Sequence, residues 1–180
     1  MLGVTRLQPP TPDQPHYRPM SQFKPLPPIQ ELQQAFAYDP DTGIFRHKHS
    51  RGRAARGSIA GSENTTGYVR ISFQRKNLWA HRVAWFLMTG QDPLQREVDH
   101  KDRDGSHNWF SNLRLGTPLQ NCGNRLAEGC YRTPSNTYQA RICFEGRRIC
   151  LGTYFTPEEA REVYIAKHIE LHGTFSPYFQ

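Results

Sequence analysis

The segment of residues 98–124 constrains the fold of this chain most, because acidic, amide and imidazole side chains alternate there with short apolar stretches. It reads V-D-H-K-D-R-D-G-S-H-N-W-F-S-N-L-R-L-G-T-P-L-Q-N-C-G-N. The pattern predicts two short strands, at residues 98–101 and 113–117, with a polar loop between them. Thr117 followed by Pro118 is typical of the N-cap and first position of a helix, which we expect over residues 118–125.

The same segment carries the donor atoms of a divalent-cation site. Asp99 and Asn121 offer hard carboxylate and amide oxygens, which suit Mg²⁺ or Mn²⁺ better than zinc. His100 adds an imidazole that accepts a proton near pH 7. In a regular strand the Asp99 and His100 side chains point to opposite sides. For both to serve one site, the strand has to bend or end at His100. These residue types are typical of metal-assisted phosphodiester cleavage.

In residue types, spacing and flanks, the segment resembles the HNH homing-endonuclease family of phages and mobile introns, in its Asp-His…Asn…Asn form. The resemblance implies a ββα-metal core in which Asp99 and Asn121 bind one Mg²⁺ or Mn²⁺ ion. It also implies that His100 is the general base that deprotonates the attacking water, and that Asn112 braces the loop and orients this base without touching the metal. Hydrolysis would leave 5′-phosphate and 3′-hydroxyl ends.

Other interpretations of the acidic segment are a simple Asp-rich turn, a calcium loop or a decayed HNH domain that only binds DNA. The calcium loop of an EF-hand is excluded. With Gly105 in its sixth place, the first and twelfth places are His100 and Ser111, which are not carboxylates. The turn and the decayed domain stay open.

The C-terminal part shows a different pattern. Alternation predicts strands at residues 138–144 and 147–154, and Thr156-Pro-Glu-Glu is a capping box that opens a helix. The stretch resembles an AP2 DNA-binding domain, especially in Tyr138-Gln-Ala-Arg-Ile142 and Leu151-Gly-Thr-Tyr-Phe155. The resemblance implies a three-stranded sheet in the DNA major groove. Residues 131, 133 and 150 depart from the plant pattern, so plant target preference does not transfer, and base reading and phosphate gripping stay alternatives.

Six arginines are candidates for DNA binding because they lie in or beside these two motifs. They are Arg114, Arg125, Arg132, Arg141, Arg147 and Arg148.

The fold class expected is α+β, with a small β-rich N-terminal region, the ββα core and a C-terminal three-stranded antiparallel sheet packed on one helix. A proline-rich disordered arm over residues 1–28 precedes an endonuclease domain over 29–126 and an AP2-like domain over 127–180. A helix is expected over residues 80–89, with Gly90 as its stop. Within this range, His81 is interpreted as a residue that packs or makes a structural hydrogen bond rather than a catalytic one.

The formal net charge of +7 favours a polyanionic partner. We expect duplex DNA, bound by a monomer or weak homodimer. The sequence lacks a membrane span, which predicts a soluble protein of the cytoplasm, the host's if phage-encoded. Cys143 and Cys150 are interpreted as reduced thiols, with oxidation across a hairpin as the alternative. A non-catalytic, sequence-specific DNA-binding regulator is the second functional hypothesis, and an RNA-binding protein the third.

Overall fold

The computed structural model describes residues 24–94 and 96–179. Residues 1–23 of the arm predicted over residues 1–28 therefore lie outside the described residues. Its last part is ordered, because Leu26 packs against the hydrophobic core and donates its N–H to Asp92 Oδ2 at 2.7 Å. In the described part the helices are α1 (Ile29–Ala35), α2 (Ala80–Thr89), α3 (Pro118–Gly123) and α4 (Pro157–His172). The strands are β1 (Phe36–Tyr38), β2 (Phe45–His47), β3 (Ser62–Glu63), β4 (Val69–Phe73), β5 (Lys76–Trp79), β6 (Glu97–His100), β7 (Leu113–Gly116), β8 (Cys130–Arg132), β9 (Tyr138–Phe144) and β10 (Arg147–Tyr154).

These strands form four small antiparallel sheets. The pairs β1-β2 and β6-β7 are two-stranded, whereas β3-β4-β5 and β10-β9-β8 have three strands each. No helix among the described residues is long and apolar enough to cross a membrane. The molecule is a mixed helix and sheet structure, as predicted, and is compatible with an HNH domain.

One hydrophobic core joins the N-terminal elements to the β6-β7 pair. Leu32 of α1, Ile71 of β4 and Val83 of α2 are completely buried in it. Val98 of β6 and Leu113 of β7 belong to the same cluster. The polar segment of residues 98–124 is therefore anchored to the hydrophobic core through Val98 and Leu113.

Helix α2, which contributes to this hydrophobic core, spans Ala80–Thr89 as predicted. It ends at Gly90, which adopts a left-handed conformation with φ 73° and donates its N–H to the Phe86 carbonyl at 2.9 Å. Glycine has no Cβ and takes this conformation without steric cost, which explains why the helix stops there.

The C-terminal elements form a three-stranded antiparallel sheet with α4 packed on one face. Ala140 and Ile142 of β9 are buried against Ala160 and Tyr164 of α4. The helix opens with the expected capping box, in which Thr156 accepts a hydrogen bond from the Glu159 N–H. Both long strands and the helix lie where the sequence predicts them, whereas a relationship to AP2 domains stays a prediction.

The two cysteines of this sheet do not face each other. Cys143 lies opposite Arg148, and Cys150 lies opposite Arg141. Both are exposed free thiols. The alternative of directly opposed cysteines is therefore wrong, because the hairpin register offsets them by two residues.

The C-terminal elements also contact the β6-β7-α3 unit. The Gly123 backbone lies so close to His172 that an added Cβ would be 2.3 Å from the His172 Nδ1 atom. The ring of Phe175 approaches Gly116 in the same way, at 2.7 Å. The predicted boundary at residue 126 thus separates two parts that pack against each other.

Candidate functional site

Strands β6 and β7 and helix α3 form the expected ββα unit. The register places Asp99 opposite Arg114 and His100 opposite Leu113. Helix α3 opens with Thr117 as N-cap and Pro118 at its first position, and it ends at Gly123 rather than at the predicted residue 125. Strand β6 ends at His100. A strand end at this position is one of the two expected arrangements, a bend being the other, that let Asp99 and His100 serve one site.

The Asp99 carboxylate lies in a polar, almost closed environment. The carboxylate forms an ion pair with the Arg114 guanidinium, whose Nε and Nη2 atoms each lie 2.8 Å from Asp99 Oδ2. Asn124 Nδ2 lies 3.2 and 3.1 Å from the two carboxylate oxygens and donates to the His100 carbonyl at 2.7 Å. The Arg114 and Asn124 side chains therefore fix the orientation of this carboxylate.

Asn121, the predicted second metal ligand, contacts a different carboxylate. Its Nδ2 donates to Glu97 Oε2. Among the described residues it makes no hydrogen bond to Asp99, so the structure does not directly bring the predicted ligand pair together. A shared cation at Asp99 and Asn121 stays a prediction.

Two carboxylates and two amides nevertheless face each other across this unit. Glu97 and Asp99 share one face of β6 because they are two residues apart. Asn121 of α3 and Asn124, the C-cap residue that follows this helix, donate hydrogen bonds to these two carboxylates. Carboxylate and amide oxygens suit Mg²⁺ and Mn²⁺. No group of three or more His, Cys, Asp or Glu residues suited to a metal occurs in residues 24–94 and 96–179.

His100 lies on the other side of β6, and Asn108 fixes its ring. His100 Nε2 is 3.2 Å from Asn108 Oδ1, while Asn108 Nδ2 donates to the Ser106 carbonyl at 2.9 Å. Because an amide oxygen only accepts, Nε2 has to carry the proton. The lone pair is then on Nδ1, which is the atom available to act as a base.

Asn108 is itself held from two sides. Tyr38 donates its hydroxyl to the Asn108 carbonyl at 2.7 Å. Gly43, with φ 73°, lies so close that an added Cβ would be 2.4 Å from the Asn108 carbonyl carbon. The early turn at residues 39–43 thereby supports the orientation of the imidazole.

Aromatic rings surround the His100 imidazole. Tyr68 and His81 approach it edge-on, with ring centroids 5.8 and 5.1 Å away. Burial lowers the pKa of His100, and the Asn108 hydrogen bond and the charge of Asp102 oppose this only in part. The ring is therefore uncharged at neutral pH.

His81 is a second uncharged imidazole beside the first. Burial lowers its pKa to about 3, with smaller contributions from His100 and Arg82. Its ring stacks on Trp79 with a centroid distance of 6.0 Å. Its Nδ1 has no hydrogen-bond partner in the described part of the chain, and the structural role of His81 stays a prediction.

Asn112 has the contacts of a loop brace. Its Oδ1 accepts the Asp102 N–H at 3.1 Å, and its Nδ2 donates to Asp102 Oδ1 and the His107 carbonyl, both at 2.9 Å. Asp102 in turn contacts His107 Nδ1 at 2.7 Å. Asn112 thus fastens the loop after His100, and a role in catalysis stays a prediction.

The candidate DNA-binding arginines fall into separate places. Arg141 and Arg148 share the exposed face of the C-terminal sheet, where the Arg141 guanidinium lies 3.8 Å from the centre of the Tyr131 ring. The register places Arg132 and Arg147 on the opposite face, at the sheet's ends. Arg125 is exposed just beyond α3.

Arg114 differs most from its predicted role. Its side chain is only 15% exposed, is paired with Asp99, and lies over Phe175 with 4.1 Å to the ring centre. This guanidinium is committed to protein contacts, so the structure places it in the site rather than on an open DNA-binding surface.

Comparisons with known proteins agree with the ββα unit. Residues 78–122 match the family model described as HNH endonuclease. This range is about a quarter of the chain and includes Asp99, His100, Asn112 and Asn121. The sequence-based recognition of an HNH endonuclease domain is confirmed for this segment.

A relative from Acanthamoeba polyphaga mimivirus is an uncharacterized HNH endonuclease. It is 31% identical over 116 residues, which are 62% of this chain and 62% of the relative. The match thus spans about three-fifths of each protein. No solved structure matches the chain. None of these findings supports an AP2-like C-terminal domain, which remains a prediction.

The sequence interpretation missed three residues that shape the site: Glu97, Asn108 and Asn124. Asn124 carried a usable signal, because its spacing of three from Asn121 places both on one helix face. Glu97 carried the corresponding strand signal, two residues before Asp99. Asn108 lies in an irregular loop, where no periodicity marks it.

Proposed function

We propose that this chain is a metal-dependent DNA endonuclease of the HNH type that hydrolyses one phosphodiester bond and so nicks one strand. The observation that carries the proposal is the placement of His100. Its ring is uncharged and oriented by Asn108, and it directly follows the Asp99 carboxylate on a ββα unit. The similarity of residues 78–122 to HNH endonucleases supports it.

In this proposal His100 Nδ1 takes the proton of the attacking water as its oxygen bonds to phosphorus. Asn108 keeps the ring in the tautomer that leaves Nδ1 free. The imidazolium that forms is stabilised by the nearby charges of Asp102 and Asp99. Burial keeps the base unprotonated before each turnover.

Asp99 and Asn121 would hold Mg²⁺ or Mn²⁺, and the carboxylate is kept in place by Arg114 and Asn124. When bound, the ion supplies positive charge for the crowded phosphate and the departing 3′-oxygen. The products would carry 5′-phosphate and 3′-hydroxyl ends.

For the partner we propose duplex DNA, with the exposed face of the C-terminal sheet selecting the site. Arg141 and Arg148 supply positive charge there, and Tyr131 supports Arg141. Arginines on an antiparallel ribbon can reach base edges in the major groove as well as phosphates. With one catalytic centre per chain, a monomer makes a single nick.

The test is supercoiled plasmid incubated with Mg²⁺, with Mn²⁺ and with EDTA. We expect relaxed circles only with a divalent cation, none from His100→Ala, and the normal amount from His49→Ala, which removes an exposed histidine elsewhere. A chain that retards the plasmid but never relaxes it would be the non-catalytic regulator, and the enzymatic proposal would be wrong.

A further inference from the structure

The β3-β4-β5 sheet has one buried and one open face. The register Ser62–Arg70–Trp79 and Ser72–Asn77 places these five side chains on the same face. The opposite face carries the buried side chains of Ile71, Phe73 and Leu78. We call the open side the Arg70 face, and define it by Ser62, Arg70, Ser72, Asn77 and Trp79.

The Arg70 face connects directly to the His100 centre. The Arg70 guanidinium lies 4.2 Å above the Trp79 ring centre. Trp79 stacks on His81 at 6.0 Å, and His81 meets His100 at 5.1 Å. Four planar groups thus form a continuous column from an exposed arginine to the candidate base.

Arg70 has free capacity to bind a ligand. It makes no hydrogen bond or ion pair with any residue among 24–94 and 96–179, and stacking on Trp79 leaves the N–H edge of the guanidinium open. Such an edge can donate two parallel hydrogen bonds to a phosphate.

The remaining residues of the face suit the same ligand. Ser62, Ser72 and Asn77 line a shallow cavity of about 360 Å³ next to Arg70. Hydroxyl and amide groups are common partners of DNA phosphates, and the defined face contains no carboxylate. These side chains are also short, which favours contact with a backbone over contact with bases inside a groove.

We propose that the Arg70 face binds the phosphate backbone of duplex DNA beside the cut. The proposal rests on the proposed nuclease function, because the cut defines its position. The column limits the separation of Arg70 from the His100 ring to about 15 Å. The contacts of the two groups to their phosphates add several Å at each end, so with about 3.4 Å of axial rise per nucleotide the contacted phosphate lies within about one helical turn, roughly ten nucleotides, of the nick.

The first test is binding to duplex DNA in EDTA, where no cleavage occurs. We expect Arg70→Gln to weaken binding about five- to tenfold and to reduce the slope of log affinity against log salt by about one. Lys76→Gln is the matched control, since it removes the same charge from the turn end of the same hairpin. It should change binding less than twofold, and Arg70→Lys should keep the salt slope.

Unchanged affinity and slope in Arg70→Gln would overturn the proposal. An equal loss in Lys76→Gln would overturn it too, since binding would then reflect total charge. Thermal melting of each variant shows whether a loss comes from unfolding, and the charge-conserving Arg70→Lys keeps the test decisive if Arg70→Gln melts early.

The second test locates the contact. Single neutral methylphosphonates are placed within about ten nucleotides of a mapped nick, which is about one helical turn. The wild type should lose affinity at one or two of these positions, and Arg70→Gln should be indifferent there. Equal sensitivity of both proteins at every position would contradict the proposal.

The two proposals fail in different ways. If the wild type never nicks plasmid, the nuclease proposal is wrong and the EDTA binding experiment still decides the role of Arg70. If nicking occurs but Arg70→Gln binds normally, only the Arg70 face is wrong.

Discussion

The two faces of strand β6 have very different surroundings, although the side chains that define them belong to the consecutive residues Asp99 and His100. Asp99 meets a guanidinium and an amide, whereas His100 meets aromatic rings and a single amide oxygen. Adjacent residues of a strand point to opposite faces, so one short strand reaches both environments.

The difference teaches how one short strand can present a fixed carboxylate on one side and an uncharged imidazole on the other. The polar side orients the carboxylate through an ion pair and a hydrogen bond, and burial on the aromatic side makes a charge on the imidazole unfavourable. Each prediction below changes one side and leaves the other intact.

The largest effect is expected from His100→Ala. Removal of the base should lower the single-turnover nicking rate by about 10²- to 10⁴-fold, with DNA affinity unchanged. His49→Ala removes an exposed histidine elsewhere and should retain most of the activity. A His100→Ala rate within a few-fold of the wild type would show that another group is the base.

On the polar side, Asp99→Ala should damage the fold as well as the activity. It leaves the mostly buried Arg114 guanidinium without its carboxylate, and breaking a buried pair costs about 3–5 kcal/mol. Urea unfolding measures this loss. The double variant Asp99→Ala/Arg114→Met should regain part of the stability; no regain would mean that the pair is not coupled.

On the aromatic side, His81→Phe should reduce the sensitivity of the fold to acid. The pKa of His81 is about 3 in the folded state and about 6.5 when unfolded, so the unfolded state takes up a proton first. His81 therefore favours unfolding by about 1.4 kcal/mol per pH unit as the pH falls from about 6.5 toward 3. We expect a shallower decline for His81→Phe between pH 6 and 4 by urea unfolding. The same decline in both proteins would refute the buried neutral state of His81.

The smallest effect concerns the pH profile of nicking. Burial lowers the pKa of His100, so the acidic decline in rate should have its midpoint below the usual value of about 6.5. Asn108→Ala removes a hydrogen bond that raises this pKa, and its midpoint should lie lower still. A wild-type midpoint at or above 6.5 would argue against a desolvated base.

The sequence predicted the regular elements well where periodicity and end signals agree. Helix α2 has its predicted bounds because an apolar face ends at Gly90. Strands β9 and β10 match because Glu145-Gly146 marks the turn between them, although a bulge between Cys150 and Gly152 shifts their register. The ββα unit could be predicted because residue types at fixed spacing in residues 98–124 resemble those of a known family.

The side-chain partners could not be predicted in the same way. Asn108 orients His100 from an irregular loop, and Arg114 turns to Asp99 because the strand register places the two opposite each other. Such contacts depend on three-dimensional neighbours. A basic residue beside a catalytic motif is therefore a weak indicator of DNA binding.

Arg114 joins strand β6 to the C-terminal segment of the molecule. Besides Asp99, it donates to the Thr174 carbonyl and lies against Phe175, close to the end of the described chain. A shortened protein that keeps residues 24–126 would lose the carbonyl and ring that cover this cation, while keeping the cation itself. Such a fragment would be an incomplete form of the proposed nuclease unit rather than a minimal one. Weak cleavage by the fragment would therefore say little about the activity of the intact chain.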